Sequence, residues 1–251
     1  MTEPSSVAAP PASTTPAAPP KASFWEDLID IFFSPASVFR RNENKSVWPP
    51  LLFVSIAIGV IFFFTFNQLE PIFDAEFQRG MAKAAAQQPQ LTPEAMAKMK
   101  GISESVTRYG LSVIMFFSVL VIGVVSWVIG KVVGSAQSFH AALVVAAWSY
   151  MPRVLGAILG GVQGLLMDPA SLTGQLAISL SPARFFAADQ PNPLMYQFLG
   201  RLDLITIWVT ILLSVGLYVT GKVSKGRAAI FGVIIWLIGA LPVLRTAYMS
   251  M

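Results

Sequence analysis

The chain has 251 residues, of which 55% are hydrophobic and only 12% charged, with a net charge of +4 and a positive mean hydropathy. Ordinary soluble domains carry about 25% charge, so the composition reads as one helical membrane domain with short tails. The basic residues are scattered rather than interleaved with aromatics, which excludes a nucleic-acid surface. The absence of cysteine excludes disulfides, thiolate nucleophiles and cysteine metal sites.

Residues 1–22 are dominated by Pro, Ala, Ser and Thr and are expected to form a disordered tail, because they bury too little apolar surface to offset ordering. They lack the basic start and apolar stretch of a cleavable signal, so the first span is expected to serve as an uncleaved signal anchor. Ser23-Phe24-Trp25-Glu26 is a capping box opening a helix. Behind it Phe24, Trp25, Leu28, Ile31 and Phe32 recur at helical spacing, with Glu26, Asp27 and Asp30 elsewhere on the wheel. Ser34-Pro35 stops that helix and starts another, which runs through Phe39, Arg40 and Arg41. Two placements fit the lead-in 24–41: in the headgroup plane, with Phe24, Trp25, Phe32, Pro35, Phe39, Arg40 and Arg41 interfacial, or packed under the bundle.

A first span is expected over about 48–67, opened by an interfacial Trp48. Residues 68–109 are polar and read as a helical hairpin outside the bilayer, with Pro71 and Thr92-Pro93 marking helix starts. Further spans are expected over about 110–133, 139–166, 203–220 and 228–248. The segment 167–202 is too polar and interrupted to cross; its Ser181-to-Phe186 stretch echoes Ser34 to Phe39. The fold class is therefore all-α, a polytopic membrane protein with five transmembrane helices and an amphipathic lead-in. Basic residues in the short Lys222/Lys225/Arg227 turn and at Arg40/Arg41/Lys45 place the N-terminus in the cytoplasm and the C-terminus outside.

The third span carries the residues that call for explanation. A bilayer core is crossed by about twenty apolar residues, so Tyr150, Pro152 and Arg153 are expected near its centre. A charge there costs about 3 kcal/mol on insertion scales. Arg153 then either contacts an anion, a headgroup or an intramembrane partner, or snorkels through a kink made by Pro152 with a structural role. Its candidate partners are carbonyls freed by Pro152 and the carboxylate of Asp203. Gly156, Gly160 and Gly164 stand on one face at four-residue spacing, which suits close helix packing, within the chain or between copies. His140 is the single histidine. With no cysteine beside it a metal site is not expected, and no nucleophile elbow, Walker motif, dinucleotide fingerprint or HExxH occurs. No catalytic residue and no cofactor is expected.

Phe24-Trp25-Glu26, Phe33-Ser34-Pro35-Ala36-Ser37-Val38-Phe39, Ser149-Tyr150-Met151-Pro152 and Lys225-Gly226-Arg227-Ala228, in that order, resemble the Yip family of Ypt/Rab-interacting proteins, in its bacterial form. The resemblance covers about Phe24 to Met249. It implies a five-span helical fold with a cytosolic N-terminus, used in eukaryotes for vesicle trafficking with partners that include Rab-type small GTPases. The chain lacks the Asp-Leu-Tyr-Gly-Pro-like motif of eukaryotic members and has a long 68–109 connection, and both features argue against GTPase binding. The expected function is a non-enzymatic adaptor or organiser of membrane proteins or lipid in the bacterial cytoplasmic (inner) membrane. Its partners would be lipid and other membrane proteins or further copies of itself. The alternative is a small oligomeric transporter or channel subunit with Arg153 lining the pathway; an intramembrane enzyme is a remote third.

Overall fold

Ser23 caps α1 (Phe24–Phe33): its hydroxyl accepts from the Glu26 amide at 3.3 Å, and the Glu26 carboxylate accepts from the Ser23 amide at 2.6 Å. The structure is a computed structural model that describes residues 22–87, 92–186 and 192–248; the tail expected over 1–22 lies outside them, residue 22 apart. Every regular element among the described residues is helical. A second short helix, α2 (Pro35–Asn42), starts on its proline, where the missing N–H costs nothing.

Two long helices follow, α3 (Trp48–Gln87) and α4 (Pro93–Val132), of 40 residues each. At 1.5 Å per residue each is about 60 Å long, about twice a 30 Å hydrocarbon core. They run antiparallel, with Gly59 against Ser112, the Phe63 ring 6.0 Å from Tyr109, and Asp74 paired with Lys100 at 2.9 Å. The 68–109 segment is thus the continuation of two membrane helices, and residues 88–91 between them lie outside the described set. Pro71, expected to open a helix, lies inside α3. An interior proline costs about 3 kcal/mol, but Leu69 and Ile72 on either side of it are buried against Leu172. Burying two such side chains contributes about as much or more, so the helix continues.

The third span also departs from expectation. It is two helices, α5 (Phe139–Ser149) and α6 (Met151–Leu166), parted at Tyr150. Pro152 cannot donate to the Trp148 carbonyl, and the ladder tightens there: the Arg153 amide bonds the Tyr150 carbonyl at 2.9 Å in 3₁₀ style. Three 3₁₀ turns occupy the following segment, then come α7 (Pro193–Arg201), α8 (Leu204–Gly221) and α9 (Lys225–Tyr248). Among the described residues four stretches are long and apolar enough to cross a membrane: Trp48–Ala82, Glu94–Val132, Phe139–Leu166 and Leu204–Gly221. The element on which the fifth expected span falls, α9, is not among them.

Almost every residue of α5 from Ala141 to Ser149 is buried, because α3, α4 and α8 surround it. This explains a helix that is apolar all round rather than on one stripe. Close approach depends on glycine: a Cβ on Gly123 would lie 2.7 Å from the Leu143 side chain, and one on Gly216 would overlap Val145. Around Trp148 the core also takes in Ile31, Val38 and Phe39 from the lead-in. Phe39, expected at the headgroups, is therefore fully buried, and Phe32 packs edge-on against Trp208 at 5.4 Å.

Substitution at α5's neighbours follows from this packing. Gly216→Leu is expected to lower the thermal midpoint in detergent by an amount corresponding to at least about 1–3 kcal/mol of overpacking. Gly226→Ala, where an added Cβ meets only Ser224 Oγ at 4.0 Å, leaves the midpoint unchanged.

Candidate functional site

The break at Tyr150 positions Arg153. With α6 restarting at Met151 and Pro152 buried at its second position, the Arg153 side chain leaves the first turn and its guanidinium carbon sits 5.5 Å from the Tyr150 ring centroid. It lines a cavity of about 450 Å³ together with Thr107 of α4, Gln175 and Ser179 of the 3₁₀ segment, and Asp203 and Thr206 at the start of α8. Arg153 lies midway along its own stretch, yet beside the residue that opens the Leu204–Gly221 stretch, so it need not sit in hydrocarbon.

Asp203 is not its ion-pair partner. One carboxylate oxygen accepts from the Thr206 amide at 2.8 Å and the other from the Leu180 amide at 3.0 Å, so the carboxylate is committed to capping α8 and anchoring the 3₁₀ segment. No carboxylate among the described residues stands within ion-pair distance of Arg153. A second cation lies close by. Burial, followed by the positive charge of Arg153, holds the Arg201 guanidinium below its ordinary pKa. Arg201 Nη2 donates to the Trp236 carbonyl at 2.9 Å, the Trp236 indole donates back to the Arg201 carbonyl at 3.2 Å, and Arg201 Nε is buried without a partner among the described residues. Sequence reasoning passed over Arg201; its signal was an arginine two residues before the N-cap of an apolar span.

Gly156, Gly160 and Gly164 of α6 do not share a neighbour. A Cβ on Gly156 would meet Ile205 of α8 at 3.2 Å, one on Gly160 would meet Ile178 at 3.4 Å, and one on Gly164 would meet Leu69 of α3 at 2.5 Å. Gly161 faces Thr65 of α3. Each glycine thus admits a different part of the same chain, and Gly156 also lines the cavity. His140 Nε2 donates to the Lys45 carbonyl at 2.9 Å, a contact that ties the start of α5 to the entry of α3.

The lead-in holds a polar cluster that the helical wheel concealed. Asp27, 1% exposed, accepts from Arg41 Nε and Nη2 at 2.9 and 2.6 Å on one oxygen and from Asn42 Nδ2 at 2.8 Å on the other. Arg41 also reaches Asp30 at 2.6 Å, and Lys45 Nζ stands 3.8 Å from Asp27. The hydrogen bond to Asp30, opposed by burial and reinforced by Asp27, raises the Arg41 pKa. The opposite face of α1, Trp25, Ile29 and Phe33, is exposed, Phe33 at 82%. An acid inside and an apolar stripe outside invert the pattern of a helix resting in water. Arg40 points outward and Pro35 is half-buried at the α1–α2 corner, while Phe24 packs 5.5 Å from Trp148.

Outside the bundle core, Glu70, Asp74 and Glu104 bring carboxylate oxygens within 4.8 Å of one another. The ammonium of Lys100 stands 2.9 Å from Asp74 and 3.5 Å from Glu104, supplying the positive charge those acids require.

Comparison with known proteins finds a family match and a bacterial relative. The family model of the Yip1 domain matches residues 29–245. A membrane protein of Bacillus subtilis strain 168, YknW, is 23% identical over 212 residues, covering 83% of this chain and 84% of its own length. No solved structure matches.

The lead-in cluster gives a test of its structural role. Asp27→Ala removes one acceptor from Arg41, which keeps Asp30, and one from Asn42, which keeps the Val38 carbonyl, and is expected to cost at most about 3 kcal/mol, the low end for a broken buried pair, because Arg41 is also one-third exposed. Faster proteolysis within residues 24–47 of the detergent-solubilised variant is the measurement.

Proposed function

Because this chain belongs to the Yip1 domain family, we propose that it is a non-enzymatic integral membrane protein that works as an adaptor or organiser, holding a second membrane protein along α4. One observation carries this reading. The outward face of α4 is apolar from the projecting part into the bilayer length, through Ile102, Val106, Val113, Phe117, Val121 and Val128, all exposed. Lipid covers the part of such a stripe that lies in hydrocarbon. A 60 Å helix outruns that layer, and its projecting apolar turns need a protein partner to leave water. The reading includes a fifth span in α9, a cytoplasmic N-terminus and a bacterial cytoplasmic membrane, supported by the basic α8–α9 turn and the bacterial relative. Small-GTPase binding forms no part of it, since the eukaryotic motif before the first span is missing.

The second reading, a small oligomeric transporter or channel subunit, is favoured by the cavity of about 450 Å³ at Arg153. A cationic wall without a paired carboxylate suits an anion.

Extraction of native membranes into polymer-bounded discs separates the two. The adaptor reading expects the chain in a particle larger than one copy, with Ile102→Arg and Val106→Arg together releasing it as a single copy of unchanged thermal midpoint. A wild-type chain that already runs alone, or a complex indifferent to both substitutions, overturns it. Reconstituted liposomes of the purified chain are expected to show no anion flux; flux that falls at least tenfold in Arg153→Ala would establish the transport reading instead.

A further inference from the structure

Between α8 and α9 runs a slot of about 650 Å³, closed on one side by Ala36 of α2. Its walls are apolar: Ile207, Ile211, Val215 and Val233 line it, and small residues of α9, Ala228, Ala229 and Gly232, hollow it out. The hydroxyls that face it make no demand on an occupant. Thr210 Oγ1 donates to the Thr206 carbonyl at 2.8 Å and Ser214 Oγ to the Thr210 carbonyl at 2.9 Å, each satisfied by its own helix. At the end marked by Leu202 and Trp236 the indole N–H is bonded to the Arg201 carbonyl. The slot body therefore offers van der Waals contact alone, which selects a hydrocarbon chain.

The other end is different. Lys225 lines it, in the first turn of α9, beside the exposed Tyr218. Arg40 lies one turn beyond Ala36 on the same face of α2, toward the α2–α3 connection, and is exposed. No carboxylate among the described residues pairs with Lys225 or Arg40. The partial positive charge of the α9 N-terminus adds to that of Lys225. An apolar slot that ends at an unpaired Lys225, with Arg40 exposed one turn from its Ala36 wall, has the polarity of an anionic phospholipid.

We propose that this slot is a binding site for one anionic phospholipid, with an acyl chain between α8 and α9 and the phosphate held by Lys225 and Arg40. The lipid would seal the α1–α2 hairpin to the last two helices. The site is independent of the adaptor reading, because it uses neither the α4 face nor the Arg153 cavity.

Native mass spectrometry of the full chain, released from mild detergent after exposure to equal amounts of phosphatidylglycerol and phosphatidylcholine, tests it. The expected result is one retained phospholipid per chain, with phosphatidylglycerol preferred. Each cation near a membrane surface contributes about five-fold in affinity for anionic lipid. Lys225→Gln with Arg40→Gln should therefore reduce the preference by about 25-fold at most while still permitting a lipid to bind. Ala229→Trp, at an exposed wall position, should expel either lipid; if that variant loses its wild-type elution and melting profile, Ala229→Leu takes its place. Retention of no lipid, a preference that survives loss of both cations, a lipid that survives the filled slot, or a second polypeptide seated there instead would each overturn the proposal.

Discussion

The enclosure of α5 between α4 and α8, at Gly123 and Gly216, is the contact on which the rest of the bundle depends. Leu143 and Val145 occupy the spaces those glycines leave, and backbones that close leave α5 no lipid-facing side. In a bilayer, helix association gains little from expelling apolar surface, since lipid tails are as apolar as leucine; packing and hydrogen bonding have to supply the difference. Small residues at the contact points are therefore the determinant. Trp148 at the end of α5, 2% exposed, packs against Phe24 of the lead-in, which in turn meets Phe53 of α3.

Two consequences propagate from that central helix. Its C-terminal end is fixed, so the break at Tyr150 and Pro152 re-aims α6 and carries Arg153 to the edge of a cavity beside Asp203. The same closure leaves room beside it for α1 and α2, whose Ile31, Val38 and Phe39 complete the core. In α1 the usual partition is reversed, with Asp27 inside and Trp25, Ile29 and Phe33 outside. The inversion is stable because Asp27 meets Arg41 and Asn42 within hydrogen-bond distance, so burial leaves neither of its oxygens unsatisfied.

The polar groups of the molecule thereby fall into two kinds. Asp27 with Arg41, Asp203 with its two amides, and Lys100 with Asp74 and Glu104 are internally satisfied and hold elements together. Arg153, Lys225 and Arg40 have no carboxylate partner among the described residues; the first two line open volumes and Arg40 is exposed one turn from Ala36. Chemistry directed outside the chain belongs with the second group, and both the transport alternative and the phospholipid site draw on it.

By itself the sequence determined the helical membrane class, the capping box at Ser23, the Pro35 start of α2, the family resemblance, the existence of the first four apolar spans and the extents of the third and fourth. Those features are written in local periodicity, composition and cap chemistry, which act over a few residues. Tertiary structure alone decided that Pro71 is passed through, that Phe39 is core, that the third span is two helices and that Arg153 lies beside the opening of α8. It also brought Arg201 to Arg153 and Asp27 to Arg41. Each of these is a competition between a local preference and a contact made by residues distant in the chain: a proline's cost against Leu69 and Ile72 meeting Leu172, an acid's solvation against a partner 14 residues on. Local pattern states the preference, and only the assembled bundle supplies the opposing contact.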